Sequence, residues 1–457
     1  VAEGWKQGST DTNYKIIDLK DADLDDERWE DLVNQMSWAD MLKVVETNRM
    51  ASQSISSVGK SSFSEGDGPQ KFNIIWWVSS PIIAATFNPE LAHEQGECVG
   101  MESHISGKSG WWGPAVNTHR SPFGGRNFEY YSADPFLMGR MAANVVSAAT
   151  DRGVYAYFKH FATNDQEKNR ESGISFVNEQ ALREIYLKSF QMVFEEGKSM
   201  GVMGSYNRLG LMETAASYPL LTEVLRGEWG FKGSVLSDMT HSGNSSINNN
   251  CYECVTNRVL AGCNAQLDSG GFSGASQAKW DSTLNAPCYT KDGQKVISYS
   301  YWYAVRQCVK EHMYMSSRCT GTNRGLTQVL GQDYKEVEAR TDFEYNVEIE
   351  GADSVRLNQR VELPKGIIFE DGTLSGQFAN EGIYYIDFIG ESSNGVVGAF
   401  KLIVRATTNG FEVTDDEEAK SGGKKGCGGS IIAASSIMAL VAGLGFALLA
   451  VDKKRAK

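Results

Sequence analysis

Three times in succession, an apolar helical stripe passes through a glycine into a short strand-like run that ends on polar residues. Between Phe136 and Thr150, Leu137, Met141, Val145 and Ala149 recur at helical spacing. Gly153 breaks the pattern, and VYAYF (154–158) reads as a strand followed by Lys159 and His160. Asn178 is placed to cap the next helix, whose stripe of Leu182, Ile185, Phe190, Val193 and Phe194 stops near Gly197, ahead of the strand GVMGSY (201–206). Pro219 opens a third helix, Gly227 and Gly230 close it, and GSVLS (233–237) leads into Asp238. Helices that return the chain to the same edge make the strands parallel, so this rhythm predicts an α/β fold, a TIM-like (β/α) barrel over residues 1–325. Lys159, His160, Tyr206, Asn207 and Asp238 then share the carboxyl-end rim, where such barrels gather reacting groups on rigid supports. One polar residue past a strand is ordinarily a cap or a loop hydrogen bond. Three successive strand ends are harder to explain in that way.

Near residue 330 the pattern changes. FEYNVEIEG, VELPKGIIFEDGTLSGQF, GIYYIDFIG and AFKLIVRA alternate with Gly, Asn and Ser turns, which predicts a small all-β sandwich over 330–408. Its wording resembles the immunoglobulin-like modules of bacterial surface proteins, and we read it as a spacer. Residues 409–430 are charged and glycine-rich, as in a flexible tether. Ile431–Val451 carries no charge and would span about 32 Å as a helix, enough to cross a bilayer. Lys453, Lys454, Arg455 and Lys457 in the tail 452–457 would stay cytoplasmic, placing the barrel outside the cell at the plasma membrane. In that setting the 8 cysteines favour disulfides, above all in the region of Cys251, Cys254, Cys263, Cys288, Cys308 and Cys319. The Cys251-x-x-Cys254 pair has half a zinc spacing with no second half, so no metal or other cofactor is expected. A net charge of −13 excludes nucleic acid as a partner, because phosphate binding needs clustered cations.

Over roughly residues 30–320 the text is similar to glycoside hydrolase family 3. The motifs that carry the resemblance are SFSEGDGP (62–69), GPAVNTHRSPFGGRNFEYYSADP (113–135), YFKHFATNDQEKNR (157–170), NEQALREIYLKSF (178–190), MGSYNR (203–208) and GSVLSDM (233–239), in that order. Several long motifs in a fixed order are far more specific than one short pattern. The resemblance implies a retaining β-glycosidase of the β-glucosidase branch, acting on terminal non-reducing β-linked sugars of an oligosaccharide or glycoside. Asp238 would be the nucleophile. Asp67, Arg126, Lys159 and His160 would bind the sugar hydroxyls, and Tyr206 would steady the reacting carboxylate. That set suits a pyranose, whose hydroxyls both donate and accept.

The sequence also departs from the family pattern. Gln70 and Lys71 follow Pro69 where a His, a Gly and a further Arg are usual, and Met239 replaces a common aromatic residue. The segment after His160 lacks the Gly-His-Gly and Asp-Ser-His elements of the N-acetylglucosaminidase branch. In the β-glucosidase branch the proton donor is a Glu on a separate α/β-sandwich domain. We expect that domain upstream of Val1, in the order of a domain-permuted member. The alternative reading is a non-catalytic glycan-binding surface protein on a degenerate barrel. A metal-dependent hydrolase is disfavoured by 6 His residues without a paired ligand motif.

Overall fold

The computed structural model describes residues 4–408, apart from 47–50, 171–172, 240–250, 268–277, 320, 323–328, 358–362 and 393–394. The strands β1 (Ala51–Ser52), β2 (Phe63–Asp67), β3 (Lys108–Trp112), β4 (Tyr155–Phe161), β5 (Gly201–Gly204) and β6 (Ser234–Leu236) form one six-stranded sheet in chain order. β1 is antiparallel to β2, and every later pairing is parallel. A parallel bridge from Leu236 to Ala265 carries the arc one step further. The helices that matter to the site are α1 (Arg28–Gln35), α2 (Trp38–Glu46), α3 (Pro89–Ser106), α4 (Pro135–Asp151), α5 (Lys188–Glu195) and α6 (Tyr299–Ser317).

Local chemistry explains where these helices begin. Asn88 accepts from the amides of Glu90 and Leu91, Asp134 from those of Phe136 and Leu137, and Asn178 from that of Ala181. Each cap satisfies donors that the first helical turn leaves without partners, and Pro89 and Pro135 follow the first two at positions that need no donor. Gly96 lets α3 lie directly on α4, because a Cβ there would collide with the carbonyl oxygen of Val145. Strand residues then divide by face. Ala156, Phe158, Val202 and Val235 join the core beneath α4 and α5, whereas Tyr155, Tyr157, Met203 and Leu236 join an inner cluster with Phe63, Trp112 and Met315.

Among the described residues the expected barrel is an arc of sheet rather than a ring of eight strands, and a helix ties its two ends. His312 of α6 sits 2.9 Å from Ser52 Oγ on β1 through Nε2 and 3.0 Å from Ser234 Oγ on β6 through Nδ1. Lys60 supports the same corner by donating to Ser52 Oγ and to the carbonyls of Gln53 and Ser61. Helix α6 also packs with α1 and α2 into a second core built on Trp29, Trp38, Tyr301 and Trp302.

Residues 329–407 form a two-layer sandwich. In one sheet Val329–Glu338 pairs in parallel with Gly395–Thr407, which pairs antiparallel with Gly382–Ser392, itself antiparallel to Ser354–Leu357. The other sheet comprises Phe343–Asn346, Thr373–Gly376 and Ile367–Glu370. Phe378, Phe388, Leu374 and Leu402 fill the space between the layers. The module is docked on the helices beside the sheet, not held off as the spacer read from the sequence. Lys401 Nζ lies 2.8 Å from Glu97 Oε2 on α3, and Arg152 lies 3.1 Å from Glu97 Oε1. His93, Glu97 and Asp387 bring ligand-type atoms within 4.8 Å of one another around a cavity of about 20 Å³. With two cations already on Glu97, this is an ion-pair network with room for about one water.

The disulfide expectation fails for Cys98, Cys263, Cys288 and Cys308, which are free thiols. Cys263, Cys308 and Cys319 are buried and donate weakly to main-chain carbonyls, behaving as small apolar core residues. The side chains of Cys251 and Cys254, and all of Cys427, lie outside the described residues, as do the tether and the stretch 431–451. Among the described residues no helix is long and apolar enough to cross a membrane.

Burial pushes the His312 imidazole down from 6.5 to about 3, so it is neutral in the fold. The unfolded chain takes up that proton first. The contribution of His312 to stability is therefore complete above about 6.5 and is lost as pH falls from there toward 3. Replacing His312 by Leu should cost about 2–4 kcal/mol in urea unfolding at pH 7.5, by depriving two buried serine hydroxyls of a partner, and should flatten the decline between pH 6.5 and 4.

Candidate active site at the carboxyl rim

The rim rests on a satisfied polar layer inside the sheet. Glu65 accepts from Trp112 Nε1 at 2.6 Å and from the Tyr155 hydroxyl at 2.9 Å. Two residues further along the same face of β2 stands Asp67, whose Oδ1 is 2.9 Å from Lys159 Nζ. The lysine is buried and Asp67 is half exposed, so the pair offers a carboxylate edge at the opening above a cation held from below.

Lys159 and His160 lie within β4, not past its end as the sequence suggested. A register shift between Phe158 and Phe161 interrupts the usual alternation, so both successive side chains serve the rim. The buried amide of Asn117 fixes the main chain there. Its Oδ1 accepts from the His160 amide and its Nδ2 donates to the His160 carbonyl, each at 2.9 Å.

Asp238 follows β6 and meets His160 Nε2 at 3.9 Å through Oδ2. Its Oδ1 accepts from the Met239 amide at 2.7 Å, whereas Oδ2 is buried and has no hydrogen-bond partner among the described residues. Burial raises the pKa of this carboxyl. The Met239 amide and the charges of Lys159, Arg126 and Arg170 oppose that rise. His160 is pushed well below its ordinary value, first by burial and then by the same three cations, so it is neutral.

Arg126 pairs through Nε with Glu129 and still directs its charge at Asp238 and His160. Bracing a neighbour and serving the site are thus combined in one side chain. Tyr206, at the end of β5, lies with its ring 4.5 Å from the Arg170 guanidinium. Arg170 is held at 2.8 Å by Glu167 Oε2. Positions 67, 126, 159, 160, 206 and 238, from five separate stretches of the sequence, are brought to one rim.

Asn117, Tyr130, Asn164, Glu167 and Arg170 also lie in the motifs above, but the sequence alone assigns them no role. Arg170 alone leaves a usable signal, as a further cation eleven positions past Lys159, in the loop that follows β4. The others act through hydrogen bonds between loops, which no spacing encodes.

The arrangement holds one buried carboxylate with an open oxygen, three cations and a neutral imidazole. Such a set has the chemistry to attack an electrophilic carbon and stabilise the resulting charge changes, and the Asp67–Lys159 pair offers both an acceptor and a donor at the opening. Residues 75–270 match the family model described as the glycosyl hydrolase family 3 N-terminal domain. Beta-glucosidase A of Butyrivibrio fibrisolvens is 43% identical over 159 residues, which cover 35% of this chain and 19% of that protein. The exo-alpha-(1->6)-L-arabinopyranosidase of Bifidobacterium longum is 40% identical over 168 residues, 36% of this chain and 22% of that protein. The chain thus spans about a fifth of the length of these curated relatives. The structure of beta-glucosidase 3B from Thermotoga neapolitana in complex with glucose aligns with a TM-score of 0.52 at 26% identity, over 63% of this chain and 42% of that one. A beta-glucosidase from Paenibacillus barengoltzii shares the fold, with a TM-score of 0.56 at 21% identity over 88% of this chain and 47% of that one. In motif order, strand arrangement and rim chemistry alike, residues 75–270 are similar to the glycosyl hydrolase family 3 N-terminal domain.

Proposed function

We propose that the chain is the nucleophile-bearing part of a retaining β-glycosidase, β-glucosidase-like in preference, with Asp238 as the attacking group. The observation that carries this reading is the buried Asp238 Oδ2, which among the described residues has no hydrogen-bond partner and lies in the field of three cations beside a neutral histidine. Oδ2 attacks the anomeric carbon of a terminal β-linked sugar, and the bond to the leaving oxygen breaks as the ester forms. Water then hydrolyses the ester and regenerates the carboxylate. Lys159, Asp67, Arg126 and His160 hold the sugar hydroxyls, and Tyr206 with Arg170 supports the carboxylate side of the ring.

The leaving oxygen needs a proton, and we place its donor, a Glu, on an α/β-sandwich domain outside this sequence. Without it, alkoxide departure forfeits roughly 10²- to 10⁴-fold, so natural glycosides should turn over slowly on this chain alone. An activated leaving group removes that requirement. We also read the β-sandwich as immunoglobulin-like and residues 431–451 as the anchor that keeps the domain at the cell surface.

A 2-fluoro-β-glucoside with a good leaving group should add one fluorosugar to the intact protein, with the adduct on the peptide containing Asp238. Asp238→Asn should abolish the adduct and lower turnover of an activated aryl glycoside by at least about 10³-fold. An adduct that persists in the variant would refute the assignment. The trapping rate should fall with acidification at a pH above the ordinary carboxylate range, because burial raises the pKa of Asp238 and its protonated form cannot attack. Lys159→Ala should reduce kcat/KM on the aryl glycoside by about 10- to 100-fold, the scale of one lost charged hydrogen bond, with circular dichroism unchanged.

A further inference from the structure

At neutral pH the site histidine carries a single proton, and which nitrogen holds it decides what Asp238 faces. With the proton on Nε2, the ring presents an N–H to the carboxylate Oδ2 at 3.9 Å. With the proton on Nδ1, it presents a lone pair and repels the ionised form. The opposite nitrogen faces Tyr130, whose hydroxyl is 3.4 Å from His160 Nδ1.

The surroundings of that hydroxyl bias its direction. Asn164 Nδ2 donates to the Tyr130 oxygen at 3.0 Å and spends its other hydrogen on Glu167 Oε1 at 3.0 Å. With one lone pair taken, the remaining capacity of the phenol includes its proton, which His160 Nδ1 and the Asn164 carbonyl at 3.2 Å can accept. An ionised Asp238 selects between them, because an Nε2–H facing the carboxylate leaves Nδ1 bare to accept from Tyr130. The ring cannot swing away from this choice. Asn117 clamps the His160 main chain on both sides, and Tyr130 packs edge-on against the imidazole, with centroids 6.4 Å apart. The charged and titratable groups around His160 are Asp238 after β6, Lys159 beside it on β4, Arg126 and Tyr130 from the loop after β3, and Arg170 from the loop after β4. Each cation disfavours a second proton on the ring, so tautomer and not charge is the variable.

We propose that Tyr130 is a positioning residue that holds His160 in the Nε2–H tautomer, so that the positive end of the N–H dipole faces Asp238 Oδ2 across 3.9 Å, without a hydrogen bond, and favours its ionised form. Tyr130 touches no reacting atom and acts through His160. The proposal rests on the nucleophile reading of Asp238, but its direct consequence can be observed without turnover.

In the full chain labelled with ¹⁵N-histidine, the His160 resonance, identified by its loss in His160→Gln, should report Nε2–H at pH 7.5. An Nδ1–H signal in the wild-type protein overturns the proposal whether or not any sugar binds. Tyr130→Phe keeps the ring and removes the hydroxyl. The acid limb of fluorosugar trapping should then move to higher pH by about 0.5 to 1 unit, as expected when an N–H dipole facing the charged form is replaced in part by a lone pair. An unmoved limb, with trapping intact, also overturns it. Asn164→Leu, which frees the acceptor side of the phenol, should move the limb in the same direction by less, and provides the same reading if Tyr130→Phe does not fold. If the wild-type protein forms no adduct at any pH, the nucleophile reading fails, and the NMR tautomer alone decides the role of Tyr130.

Discussion

A carboxylate taken out of water with one oxygen unpaired is costly, and the carboxyl rim is organised around making that tolerable at Asp238. One oxygen receives the Met239 amide, and three cations act on the group without closing over Oδ2. The cations are themselves held apart from it. Glu129 takes Arg126, Glu167 takes Arg170 and Asp67 takes Lys159, so none collapses onto the carboxylate as a closed ion pair. Positive potential is thus supplied while the attacking oxygen stays open, which is the preorganisation that favours charge redistribution at a bound substrate.

This placement depends on two buried hydrogen-bonded groups set among the apolar side chains inside the sheet below the rim. Glu65, Trp112 and Tyr155 form one buried layer, and Ser52, Lys60, His312 and Ser234 form another where the two ends of the sheet approach. Helix α6 supplies His312, so an element late in the chain fixes the relation between strands far earlier in sequence. Removing a partner in either layer would leave buried polar atoms uncompensated, and the strain would pass upward to Asp67 and Asp238 at the strand ends.

Legibility varied with the range of the interaction. The helical stripes and strand runs from 136 to 237 were readable because amphipathic periodicity is local, and the capping role of Asn178 followed from its side chain alone. The exit points of the strands were misjudged by a few residues. β4 continues through Lys159 and His160 to Phe161, since its pairing with β5 shifts register, and a register shift is a property of two strands. The buried thiols are illegible for a related reason: composition cannot tell a thiol that fills a core from one that meets a partner, and burial makes Cys263, Cys308 and Cys319 core residues.

The sequence by itself determined the α/β rhythm, the switch to an all-β module near residue 330, and the polar residues that would stand at successive strand ends, because these follow from periodicity and side-chain chemistry within a few turns of chain. Tertiary structure alone decided the tie through His312, the docking of the sandwich by Lys401 on Glu97, and the hydrogen bonds that join Asn117, Tyr130 and Asn164 around His160. Those contacts join side chains tens to hundreds of residues apart, and only the packing of helices on a common sheet sets the distances between them.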